Sequence, residues 1–385
     1  MTAAGAAMPV RSRIAGIDMA RALAIIGMVM VHIGPDDAGR PGLLAHAYRW
    51  SHGRASILFV VLAGIGVSML AGDRSRQRLQ SASARLVWRA MVLLPAGLAL
   101  QETGVEVAVI LQHYACYFVV AIALMRLPDR VLMVAVVSSA TAGPVLYLWL
   151  HRVMPAWFEP AVPHWYDVPG VVRDIVLTGS YPVVVWVAPL AFGIWLGRRA
   201  LHSRRAAVSL LAAGIVVTAA GFTVSNALIT QVGLALDASD WRQLIMNEPH
   251  DNMPLWLLTS GAIATALIGG CLLLAERLPR LTWPLVAFGQ LAFTAYVLHL
   301  LVLRWLPQWL ARDALEAAWR STVRFTVIAL LLSTAYRAVA ARGPFELLLR
   351  PPAWWRPGRA PTSQPDASMT LDDGASMTLD DGART

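Results

Sequence analysis

SHGRASILFVVLAGIGVSMLAG, residues 51–72, opens on a histidine, a glycine and an arginine and then runs almost without polarity to Gly72. The hydrocarbon core of a bilayer is about 30 Å thick and takes roughly 20 apolar residues per α-helix. The stretch therefore reads as a membrane span that carries an ionisable pair on its lip.

The rest of the 385-residue chain repeats the pattern. It is 57% hydrophobic and only 14% charged, with a positive mean hydropathy. Those values exclude an ordinary soluble domain and point to an all-α, polytopic integral membrane protein. Apolar runs near 14–33, 55–71, 86–100, 107–125, 131–150, 182–198, 207–227, 255–275, 282–303 and 322–340 predict about ten transmembrane helices. Pro95 and the stretch from Glu102 to Glu106 interrupt the third and fourth. The first run lacks a small-residue cleavage site and leads into a multi-span pattern, so it is expected to be retained.

Basic residues in short loops stay cytoplasmic. Lysine is absent, so every basic side chain is an arginine. With the N-terminus inside, most arginines, among them Arg74, Arg76, Arg78, Arg126, Arg198, Arg199 and Arg280, fall on the cytoplasmic side. Asp36, Asp37, Glu159, Asp167, Asp240, Glu248 and Asp251 fall on the other. Both termini are thus expected in the cytoplasm, and the chain in the plasma membrane. The organisation is a cytoplasmic segment over 1–13, a membrane domain over 14–350 and a tail over 351–385. The tail repeats ASMTLDDG in tandem (367–374 and 375–382); so polar and repetitive a sequence is expected to be disordered.

This topology accounts for the basic balance, and no nucleic-acid partner is implied, since the arginines do not gather with aromatics on one soluble face. Membrane lipids are the expected surroundings, and a homo-oligomer is compatible with the composition. Cys116 and Cys271 lie within predicted spans and read as small buried apolar residues. No His-Glu-x-x-His, phosphate-loop or Gly-x-Ser-x-Gly pattern occurs, so no metal site is expected.

Polar residues inside a membrane are costly and ask for a reason. In RIAGIDMARALAIIGMVMVHIGP, Asp18 and Arg21 are helical neighbours, and His32 returns to within about 40° of Asp18 at 100° per residue. Either the stripe lines a polar path, or Asp18 and Arg21 are an ion pair at the inner headgroups. Seven of the nine histidines gather at or near the outer face: His32, His46, His52, His151, His164, His250 and His299. Imidazole exchanges a proton near neutral pH and suits base or nucleophile chemistry. His52 stands out, because Gly53 and Arg54 follow it at the mouth of a long apolar helix; Arg54 is placed to steady an oxyanion or an anionic acceptor. Tyr181 in GSYP, His250 in NEPHDN and His299 complete the expected outer ring.

The opening RIAGIDMARALAIIGMVMVHIG, then HGRASILFVVLAG, ILQHYACYF, LTGSYPVVVWVAPLAFGIWLGRR, PLVAFGQLAFTAYVLHLLVL and RGPFELLLR, occur in an order that resembles the bacterial membrane acyltransferases related to heparan-α-glucosaminide N-acetyltransferase. The resemblance covers residues 11–350 and lies in the order of the blocks, each of which is loose alone. It implies transfer of an acetyl or other short acyl group from cytoplasmic acetyl-CoA, or another acyl-CoA, to a hydroxyl or amine of a glycan or glycolipid beyond the membrane. In the lysosomal enzyme a histidine of the first luminal loop is assigned the catalytic role. Here that loop holds both His46 and His52, with His52 preferred. The lysosomal enzyme has asparagine where His32 stands, which leaves His32 as a polar liner or a second base. On this reading His52, His46, Arg54 and Asp18 carry catalysis, and His32, Arg21, Tyr181, His250 and His299 contact substrate. The rival class is a transporter or exporter of an envelope precursor, which wants intramembrane polar residues and broken helices in related halves.

Overall fold

The computed structural model describes residues 13–34, 42, 45, 48, 50–158, 163–249, 251–310 and 314–355. These residues are helices and connections, with no strand among them. The α-helices of five residues or more are α1 (Ala15–Ile33), α2 (Arg54–Ala71), α3 (Arg76–Glu102), α4 (Leu111–Leu124), α5 (Asp129–Val153), α6 (Val168–Arg173), α7 (Val183–Gly197), α8 (Arg204–Val232), α9 (Pro254–Arg277), α10 (Pro279–Gly289), α11 (Ala292–Trp305), α12 (Leu315–Val339) and α13 (Pro344–Leu348), with a single further α-helical turn at Pro307–Leu310.

Burial sorts them by what surrounds them. α1 and α2 are apolar around nearly their whole circumference and form the centre, with Ala20, Ala22, Ala24, Ile25, Val29, Val60, Val61 and Ile65 fully covered. α5, α8 and α12 carry Val134, Val216, Leu331 and Leu332 on outward faces. That surface is unfavourable in water and favourable in lipid, where apolar packing against tails has no cost. Small residues set the closest approaches: a Cβ at Gly64 would stand 2.7 Å from the Ile194 nitrogen, and one at Gly193 would meet the Val61 carbonyl. The α2–α7 seam is thus tight because both helices present glycine.

All ten predicted segments are helical, but not all are spans of full length. Among the described residues seven helices are long and apolar enough to cross a membrane, and counting each of two bent pairs as one span raises the number to nine. The tenth, α4, has 14 residues, about 21 Å at 1.5 Å per residue, short of the hydrocarbon core. α3 begins at Arg76, ten residues before its apolar run, because RQRLQSASAR has good helix formers even though it is polar. Pro95, which reads as an interruption, sits inside α3.

The bent pairs break where the backbone loses its ladder. α6 and the π-turn Asp174–Thr178 meet α7 at 56° across Gly179 to Pro182, and α10 meets α11 at 61°. Pro182 cannot donate a backbone hydrogen bond. At the second break the Glu346 carboxylate of α13 accepts from the Phe293 and Thr294 amides at 2.9 and 3.0 Å, capping the free end of α11.

The chain alternates between two ends. Asp18 of α1, Gln290 after α10 and Arg337 of α12 meet at one: Gln290 donates to Asp18 at 3.2 Å and accepts from the Arg337 Nε at 2.7 Å. The described start and finish of the chain therefore lie at the same end. Residues 351–355, expected in the tail, pack against α3, where the Trp355 indole donates to the Ala84 carbonyl at 2.8 Å. Residues 1–12 and 356–385 lie outside the described residues.

Candidate functional site

Two cavities occupy the two ends. The first, of about 360 Å³, lies at the far end from Asp18. Gly53 builds one wall: its φ of 67° is accessible mainly to glycine, and this turn admits the chain into α2 so that Ser51 and Ser56 face inward. The π-turn and the Gly179–Pro182 break supply Thr178, Ser180 and Tyr181, α5 contributes Tyr147 from its second half, and the connection before α4 contributes Glu106. Asn252 arrives on a left-handed turn (φ 57°), uncommon outside glycine and frequent at functional sites. Its side-chain oxygen accepts the Trp186 indole N–H at 2.7 Å, which fixes its amide. The Tyr117 hydroxyl donates to the Tyr181 carbonyl at 2.7 Å, and the Tyr296 hydroxyl accepts from the Ile110 amide at 3.2 Å. The wall is hydroxyl and amide with a single carboxylate, and its polar groups are held in place from behind.

His32, in the last turn of α1, lines this cavity. Its Nδ1 lies 3.0 Å from the Nε2 of His299 on α11, and the rings are nearly parallel at 14° with centroids 5.3 Å apart. His299 is 1% exposed, and its own Nδ1 lies 3.3 Å from the Ala295 carbonyl.

The other predicted residues are distributed differently. The His52 ring packs edge-on against Tyr48, with centroids 4.9 Å apart, and its neighbours Ser51 and Gly53 line the cavity while it does not. Arg54 is buried with its guanidinium 5.5 Å from the Trp50 ring and 5.7 Å from Phe222, which ties α2 to α8. Tyr181 lines the cavity and meets the Trp186 and His113 rings. Asp18 and Arg21 pair with each other and join Gln290 and Arg337 at the opposite end. Between them and His32, along the same face of α1, Ala22, Ile25 and Val29 are fully buried, so the stripe is polar at both ends and closed in the middle. His46 and His250 lie outside the described residues.

Beside the cavity, burial lifts the Asp251 carboxyl to about 7, with the nearby Glu248 charge adding to the rise and the Glu248 amide hydrogen bond opposing it. Among the described residues no group of three or more metal-ligating side chains lies together.

The second cavity, about 510 Å³, lies at the Asp18 end among the last turns of α2 and α7 and the α4–α5 connection. Arg74, Arg198, Arg199 and His202 line it against one carboxylate, Asp129. Arg198 donates to Asp129 at 2.6 Å and to the Leu127 carbonyl at 2.9 Å; Arg74 donates to the Arg126 and Leu127 carbonyls. These carbonyls follow directly on the C-terminal end of α4, where a cation is favoured. Of the basic loop after α2, only Arg74 reaches the cavity.

As site residues, Glu106, Ser180, Asn252, Arg198 and His202 escaped the reading of the sequence, which placed Arg198 only by topology. Glu106 reads there only as a helix interruption, and the others sit in short connections whose convergence no local spacing encodes.

Residues 13–231, more than half of the chain, match the profile of a family described as heparan-alpha-glucosaminide N-acetyltransferase, catalytic. Residues 196–356 match a family described as a protein of unknown function, DUF418. No curated protein matches the chain.

Proposed function

Since the chain belongs to the heparan-alpha-glucosaminide N-acetyltransferase catalytic family, we propose that it moves an acetyl or other short acyl group from acyl-CoA at the arginine-lined cavity to an acceptor in the hydroxyl-lined one. Membership makes it a membrane protein of transferase type. The donor, the acceptor and the plasma-membrane location belong to the proposal.

The observation that carries it is the chemical contrast of the two cavities. Phosphates of a CoA nucleotide want fixed cations and backbone donors, and Arg74, Arg198, Arg199 and His202 supply the cations at the end that the arginine distribution assigns to the cytoplasm. A sugar wants neutral hydrogen-bonding groups in a pocket of a few hundred Å³, and Ser51, Ser56, Ser180, Tyr147, Tyr181 and Asn252 supply them, with Glu106 able to accept from a hydroxyl or hold an amine. An extracytoplasmic glycan or glycolipid is the acceptor class that fits. Ser56 and Ser68, one in the lining of each cavity, lie about 18 Å apart on α2 at 1.5 Å per residue. Acyl delivery thus runs along α2 and requires the glycine seam with α7 to open.

The two bent spans favour a second reading, an exporter of an envelope precursor, because broken helices are frequent in transporters. One experiment separates the two. Purified protein in detergent is titrated with acetyl-CoA, and thiol release is followed with and without a soluble glycan acceptor. Saturable binding with acceptor-stimulated thiol release is the expected result; absence of both moves the exporter to first place.

A further inference from the structure

The two imidazoles at the outer cavity hold a definite hydrogen-bond order. A carbonyl oxygen only accepts, so the His299 Nδ1, 3.3 Å from the Ala295 oxygen, carries a proton. A neutral His299 then offers its lone pair at Nε2, and the His32 Nδ1, 3.0 Å away, donates to it. The His32 proton is thereby fixed at Nδ1 and its basic lone pair at Nε2, on the ring edge away from His299. An imidazole whose tautomer is set by a partner behind it and whose side chain lines a cavity is the arrangement that general-base chemistry needs. His52 does not line the cavity, and its ring lies against Tyr48.

The geometry points to His32 as the general base of the transfer and to His299 as the residue that positions it, an inference that rests on the acyltransferase reading above. In the step, the acceptor oxygen forms a bond to the thioester carbonyl carbon while its proton passes to the His32 Nε2. The carbon–sulfur bond then breaks, and the imidazolium returns that proton to the departing CoA sulfur, which leaves as the thiol. His299 remains neutral and keeps accepting from the His32 Nδ1, so the positive ring has a hydrogen-bond acceptor throughout. The pair also joins α1, within the residues matched by the acetyltransferase profile, to α11, within those matched by the second family. The site is therefore complete only when both regions are present.

The test uses the full-length protein in detergent with acetyl-CoA and a soluble glycan acceptor, water serving as acceptor where none is added. His32→Ala is expected to lower kcat by about 10²–10⁴ with KM for acetyl-CoA unchanged, and added imidazole to restore part of the rate. His32→Gln, closer in size, is the second variant should His32→Ala fail to fold, as judged by its melting curve, and is expected to lose kcat alike. His299→Gln keeps an acceptor atom and is expected to retain most of the rate. His299→Phe is expected to lower kcat with KM unchanged, a split that a packing defect does not give. His52→Ala is expected to keep kcat. Thiol release that survives in both His32 variants, or disappears in His52→Ala alone, overturns the inference and leaves the acyltransferase reading standing. An acyl adduct trapped on His32 overturns its role as base. A wild-type protein that neither binds acetyl-CoA nor releases thiol overturns the acyltransferase reading and this inference together.

Discussion

The two cavities are comparable in size and opposite in chemistry. The one at the Asp18 end is lined by Arg74, Arg198, Arg199 and His202 around Asp129; the one at the His32 end has hydroxyls, an amide and an imidazole around Glu106. They share α2, whose glycine seam with α7 lies between them. One helix therefore borders a cationic cavity at one end and a largely neutral polar one at the other, because most of the polar lining at each end comes from the connections and not from the spans. The helices hold the cavities apart, and the ends of the helices decide what each one binds.

The strongest way to break this comparison is to spoil the seam. A side chain at Gly193 would be driven into the Val61 carbonyl, so Gly193→Val is expected to cost about 1–3 kcal/mol and to lower the melting temperature in detergent with loss of both binding functions. Gly261→Ala, on α9 with nothing within 4 Å of the added carbon, is the control and should melt as wild type. Equal melting of the two variants would mean that the seam is not a fixed wall.

Next in size is Arg198→Gln. It removes charge-assisted bonds to Asp129 and to two carbonyls, worth about 1.5–3 kcal/mol for a charged hydrogen bond. Acetyl-CoA binding by calorimetry should weaken by roughly tenfold to a hundredfold at that energy, while acceptor KM stays constant. The mirror experiment at the other end is Glu106→Gln. Replacing a charged acceptor by a neutral one changes a hydrogen bond by about 1 kcal/mol, so acceptor KM should move by roughly fivefold with acetyl-CoA affinity unchanged. A cross-effect in either variant would dissolve the division of labour between the ends.

The most local effect, and one that depends on pH, is expected from Asp251→Asn. The folded chain holds this proton more tightly than the unfolded one, because the carboxyl is lifted from 3.8 to about 7. Between those values the folded state binds more protons, so wild-type stability falls as pH rises through the window and then levels off. Removing the charge removes the fall. The variant should melt like wild type near pH 4 and above it at pH 8, an effect confined to the connection before α9.

Much of the frame is legible along the chain. Each run of apolar residues is helical, since hydrophobic length is a local property and a lipid solvent rewards it directly. The breaks are less legible. Pro182 signals one, but the kink after Gly289 depends on Glu346, far away in the chain, to cap the new helix end. The cationic cavity is half legible: arginines cluster where topology wants them, and only packing decides that Arg74 and Arg198 clamp the end of α4 while Arg76 and Arg78 do not line the cavity. The outer site shows the widest gap. The His-Gly-Arg motif marks the right connection for a reason the sequence does not disclose: Gly53 makes the turn, Ser51 and Ser56 face the cavity, and His52 and Arg54 turn to aromatic partners.

By itself, then, the sequence determined the solvent, the helical class and the family resemblance, because composition and run length act through local burial and need no knowledge of neighbours. Only the tertiary structure decided which histidine faces the cavity and which one stands behind it. His32 ends α1 and His299 lies midway along α11, far apart in the chain, and the hydrogen bond that fixes their protons exists only where the two helices are packed together.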